Sequence, residues 1–162
     1  MYILSKTEEL SFQPFFDILI EEAKKATCTR SKCGSIILKD EQIIGKWFNS
    51  PPNSLESQRR CGCEKSMYHK KVTDKTCCIH AEQRAIFDAL KKNGEKILWS
   101  RLYFIRLDEY NTPKRSGKPY CTICSKSALD VGIQEFVLWE EKGFCVYNTQ
   151  EYNDLSFRYD DE

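Results

Sequence analysis

Two short clusters hold the residue types that can do chemistry: His80-Ala81-Glu82 and, further along, Cys121-Thr122-Ile123-Cys124. Alone, either is commonplace. A Cys-x-x-Cys serves as a redox pair, half of a structural zinc site, or two buried thiols. Together they offer zinc one imidazole and two thiolates. Structural zinc is closed by four protein ligands, whereas three leave a position at which water becomes a nucleophile near neutral pH. Each cluster opens an expected helix, where the macrodipole favours thiolate over thiol. Glu82 lies two residues past the imidazole, near the metal yet free to handle protons.

The elements around these clusters alternate between helical and strand periods. Residues 12–26 read as an amphipathic helix on Phe15, Ile18, Leu19 and Ala23, with Ser11 as its cap and Pro14 in the first turn. Residues 33–39 and 42–48 read as a hairpin about Asp40-Glu41. Residues 80–90 form a helix ended by Asn93-Gly94, 101–107 a strand, 122–131 a helix closed by Gly132, and 134–139 a strand. A short strand near 145–147 and a helix over 149–157 follow. The expected fold class is α/β: a three-layer α/β/α sandwich with a mixed central sheet, in one domain over 1–162. Trp47, Trp99 and Trp139 are expected in the core.

His80-Ala81-Glu82 followed by Pro119-Tyr120-Cys121-Thr122-Ile123-Cys124 resembles the cytidine/deoxycytidylate deaminase superfamily. The resemblance runs from about Cys28 to Trp139, and takes in Gly34-Ser35-Ile36-Ile37-Leu38-Lys39-Asp40 and Phe48-Asn49-Ser50-Pro51. The cysteine-rich insert before His80 is most similar to the deoxycytidylate branch. One departure is that Tyr120 stands between the proline and the first cysteine. The resemblance implies hydrolysis of the exocyclic amine of a cytosine nucleotide. His80, Cys121 and Cys124 would hold Zn2+, and Glu82 would carry protons from the attacking water to the ring nitrogen. It also implies that Asn49 bonds the sugar or base, that the Ala81 N–H holds the base carbonyl, and that the enzyme is a homo-oligomer. Phe48 and Tyr120 are the aromatics expected to stack on the base.

The insert, about 50–79, is polar, irregular and rich in cysteine and basic residues; a loop this long is usually functional or braced. Nine cysteines cannot all pair, and no export signal opens the chain, so metal binding or free thiols are favoured over disulfides. Cys61, Cys63, Cys77 and Cys78 are the candidate ligands of a second, structural zinc; His69 lies in the same insert, and Cys28 and Cys33 lie before and at the start of the first expected strand. Arg59-Arg60, Lys114-Arg115 and Lys118 could meet a substrate phosphate. A net charge of +1 argues against a general nucleic-acid binder, and the resemblance implies a small pyrimidine nucleotide as the partner. With neither a signal peptide nor a membrane-length apolar run, the expected address is the cytoplasm.

Overall fold

A computed structural model describes residues 1–160. Seven strands form one mixed sheet: β1 (Tyr2–Ile3), β2 (Lys32–Lys39), β3 (Gln42–Phe48), β4 (Arg101–Leu107), β5 (Pro113–Lys114), β6 (Glu135–Glu140) and β7 (Gly143–Asn148). The spatial order is β1-β7-β6-β4-β2-β3, with β5 beside the end of β4. Only β4 and β6 run parallel; the other pairs are antiparallel. Helix α1 (Lys6–Lys24) covers one face, while α2 (Ala81–Asn93), α3 (Thr122–Asp130) and α4 (Thr149–Phe157) belong to the other, giving the expected three layers. Among the described residues no helix is long and apolar enough to cross a membrane.

Alternation along the strands sorts the core. On β4, Tyr103, Ile105 and Leu107 pack with Phe12, Leu19 and Ala23 of α1. Leu102 and Phe104 point the other way, onto Ala85, Ile86 and Ala89 of α2. The β2–β3 hairpin turns on Asp40 and Glu41, both at positive φ (49° and 57°), as a two-residue turn matched to strand twist requires.

Helix α1 begins ahead of its expected start. Ser5 and Glu8 form a capping box: the Glu8 N–H donates to Ser5 Oγ at 3.3 Å, and the Ser5 N–H donates to Glu8 Oε2 at 2.8 Å. Ser5, not Ser11, is therefore the cap, and Pro14 lies inside the helix instead of its first turn. The ring leaves the Leu10 carbonyl without its intrahelical donor, a loss that water can make good where Leu10 is exposed.

Gly45 brings α2 onto the sheet. A Cβ there would run into the Ala85 carbonyl oxygen and lie 2.7 Å from Ala89 Cβ. The helix that begins with Ala81 and Glu82 thus lies directly on β3 because residue 45 has no side chain.

Candidate active site

His80 and Cys121 are the N-cap residues of α2 and α3, so both clusters stand at helix N-termini. His80 Nδ1 lies 3.2 Å from Cys124 Sγ and 3.3 Å from Cys121 Sγ, and all three atoms fall within 4.8 Å of one another. Zinc bonds of about 2.0–2.3 Å, arranged tetrahedrally, set ligand atoms roughly 3.5 Å apart, so this donor set fits one zinc ion. Hydrogen bonding from Cys124, with His80 alongside, holds the Cys121 thiol down at about 4, while burial pushes the Cys124 thiol up. The Cys121 contact raises His80 to about 9.

Glu82 is buried beside this trio, and burial lifts its carboxyl to about 7. His80, Ala81, Glu82, Asn49, Tyr120 and Cys121 line a single cavity of about 290 Å³. Asn49 is tied to the backbone: its Oδ1 accepts from the Cys33 N–H at 2.9 Å, and its Nδ2 donates to the Ser31 carbonyl at 2.9 Å. It braces the start of β2 while presenting its remaining polar capacity to the cavity. Tyr120, the residue inserted before the first cysteine, is half exposed and accepts a hydrogen bond from Arg106 Nη2 at 2.8 Å.

Phe48 lies elsewhere. It pairs across the hairpin with Gly34, where a Cβ would run into Ala23 of α1, and residues paired across strands share a face. Phe48 therefore sits on the α1 side, stacked on Trp47 at 5.7 Å, and is outside the cavity lining. Its expected place against the base is corrected by the strand's register. Trp99, expected in the core, is 69 % exposed.

In the insert, Cys28, Cys61 and Cys78 bring their sulfurs within 4.8 Å of one another. Cys77 Sγ is 3.2 Å from Cys61 Sγ and accepts the Arg60 N–H, whereas Cys63 is exposed and outside this group. Of the candidate set, Cys61 and Cys78 thus converge with Cys28, from before β2. Of the candidate phosphate-binding residues, Arg60 lines the cavity. Arg59 pairs with Glu56, Arg115 stacks 3.5 Å over the Trp139 ring, and Lys118 meets Asp160 at 3.7 Å. Sequence reasoning missed four other cations in the lining: Arg30, Lys65, Lys75 and Arg106. The parity of β4 could have found Arg106, which shares the face of Leu102 and Phe104.

Among proteins of known family, the Deoxycytidylate deaminase of Mycobacterium phage D29 is 26 % identical over 133 residues, covering 78 % of this chain and 92 % of that relative. The dCMP deaminase of cyanophage S-TIM5 in its apo form has a similar fold. It superposes with a TM-score of 0.52 at 20 % identity, over 82 % of each chain. The same protein solved with dCMP and dUMP gives 0.52 and 20 %, over 82 % of this chain and 81 % of that one. The family model "Cytidine and deoxycytidylate deaminase zinc-binding region" matches residues 11–140, a span that takes in both helix-opening clusters and the strands between them. This chain belongs to the cytidine and deoxycytidylate deaminase family.

Proposed function

We infer that this chain is a zinc-dependent hydrolytic deaminase that converts a cytosine nucleotide, dCMP or a close analogue, to the uracil nucleotide with release of ammonia. The observation that carries the reading is an imidazole and two thiols that meet at two helix N-termini, with the imidazole, the Cys121 thiol and a buried carboxyl lining one cavity. Zinc held by His80, Cys121 and Cys124 would supply a Lewis acid that readies water for attack at neutral pH.

The chain's own residues do the rest. Glu82 takes a proton from the water that adds to the carbon bearing the amine, and delivers it to the adjacent ring nitrogen. It then passes the second proton to the departing amine, so that water and the amino compound become a carbonyl and ammonia. The Ala81 N–H, in the first turn of α2 where helical donors lack helical partners, holds the base carbonyl. Tyr120 forms a wall against the base, and Asn49 keeps the start of β2 in place beside the sugar. A nucleotide substrate is supported by the cyanophage relative solved with dCMP and dUMP.

The reading includes a second zinc on Cys28, Cys61 and Cys78, with Cys77 the nearest further thiol. Between residues 52 and 77 the one buried side chain is that of Cys61, so the insert has no core of its own and a metal would brace it. Elemental analysis should return two zinc ions per chain; one per chain in fully active protein removes the second site. A homo-oligomer acting in the cytoplasm completes the reading, to be checked by light scattering and cell fractionation.

The deciding experiment is an ammonia-release screen of purified, zinc-loaded protein against cytidine, deoxycytidine, CMP, dCMP, dCTP and cytosine-containing oligonucleotides. Turnover of dCMP with inert oligonucleotides is expected. Deamination of oligonucleotides alone would move the chain to nucleic-acid editing, and no ammonia from any cytosine compound would end the reading.

A further inference from the structure

Arg106 ends the site-facing row of β4. Leu102 and Phe104 before it on that face are buried against α2, but position 106 puts a guanidinium into the cavity. Its neighbour across β2 is Cys33, also in the lining. Nη2 donates to the Tyr120 hydroxyl and the Cys33 thiol lies against the guanidinium, while the buried Nε has no hydrogen-bond partner. No carboxylate forms an ion pair with this arginine among the described residues. The hydroxyl of Ser116, in the same lining, is likewise buried and without a partner.

A half-buried cation with unmet donors is costly unless an anion completes it. The cavity offers none of its own beyond Glu82, which is the one carboxylate among the described lining residues and stands with the metal-type ligands. Arg30, Arg60, Lys65 and Lys75 add positive charge to the same lining. A guanidinium fork and a hydroxyl in the lining of one cavity match the oxygens of a phosphate monoester, which accept several hydrogen bonds and carry the balancing charge.

We propose that Arg106, assisted by Ser116, binds the 5′-phosphate of the substrate and so determines that this pocket takes a nucleotide and not a nucleoside. This rests on the deaminase reading. Tyr120 holds the arginine in place through its hydroxyl.

The test compares wild type with Arg106→Leu, Arg106→Lys and Tyr120→Phe on dCMP and on deoxycytidine, and titrates each protein with inorganic phosphate by calorimetry at fixed ionic strength. For Arg106→Leu, kcat/KM on dCMP should fall about 10- to 100-fold, the worth of a charge-assisted hydrogen bond. Its deoxycytidine value should stay within about threefold, and its phosphate binding should weaken by a comparable factor to dCMP. Arg106→Lys should recover part of both losses, and Ser116→Ala should lose less than Arg106→Leu. Thermal melts establish that each variant is folded. Equal losses on both substrates with unchanged phosphate binding would overturn the proposal, as would a Tyr120→Phe loss on dCMP equal to that of Arg106→Leu with phosphate binding unchanged. If the wild type releases ammonia from no cytosine compound, the deaminase reading fails, but the phosphate titration still decides for or against Arg106.

Discussion

Glu82 is the residue on which the proposed chemistry turns. A metal ligand set gives no reason for a buried carboxyl beside it, and burial without an ion-pair partner is destabilising unless the group works. Glu82→Gln keeps the shape and removes the proton shuttle. It should hold its zinc, as measured by elemental analysis, yet lose about 10²- to 10⁴-fold in kcat on the best cytosine substrate. His80→Ala differs in kind: it should lose metal and activity together, and metal retained at wild-type level would show that His80 is not a ligand. The grouping of these residues was legible in the sequence because it depends on residue type and short spacing, which helix-opening geometry preserves. Phe48 was misread and Arg106 missed for different reasons. The face Phe48 takes is read from its register, Gly34↔Phe48, which no local pattern states, whereas Arg106 follows from the alternation of β4 once Leu102 and Phe104 are known to face α2.

At the scale of elements, the site depends on how closely α2 can approach β3. Gly45→Ala would place a methyl against the Ala85 carbonyl oxygen, a backbone atom that cannot swing aside. The helix would have to lift, carrying Glu82 and the following turn with it. A loss of about 1–3 kcal/mol in urea unfolding is expected, together with a fall in kcat/KM at temperatures where the variant is fully folded. Unchanged activity at reduced stability would show that the active-site end of α2 is held independently of its approach at Gly45. Elements with strong local signals were read well: β4 and α4 occupy the expected residues, Arg101–Leu107 and Thr149–Phe157. The start of α1 was not, because the Ser5–Glu8 capping box lies upstream of the apolar stripe that betrays the helix. Strands β1 and β5 escaped notice because each is two residues long and exists only through its pairing, with β7 and β4.

For the molecule as a whole, the sheet sets one of its two cores apart from the site. The α1 face is an aromatic core: Phe12 stacks on Tyr103 at 4.0 Å and meets Phe144 edge-on at 5.1 Å. The metal-type ligands, Glu82 and the cavity belong to the opposite layer, with α2 and α3. Side chains alternate strictly across a strand, so a void opened on one face reaches the other only if the backbone moves. Phe12→Ala removes a ring that is 4 % exposed and should lower stability by about 3–5 kcal/mol, read as a shift in the urea midpoint. Below that transition its kcat/KM should stay within about twofold of wild type, and its zinc content should be unchanged, because no atom of the cavity loses a neighbour. Activity that falls in step with stability would mean that the sheet transmits packing strain to the site, and that the α1 layer is part of the catalytic apparatus as well as its support.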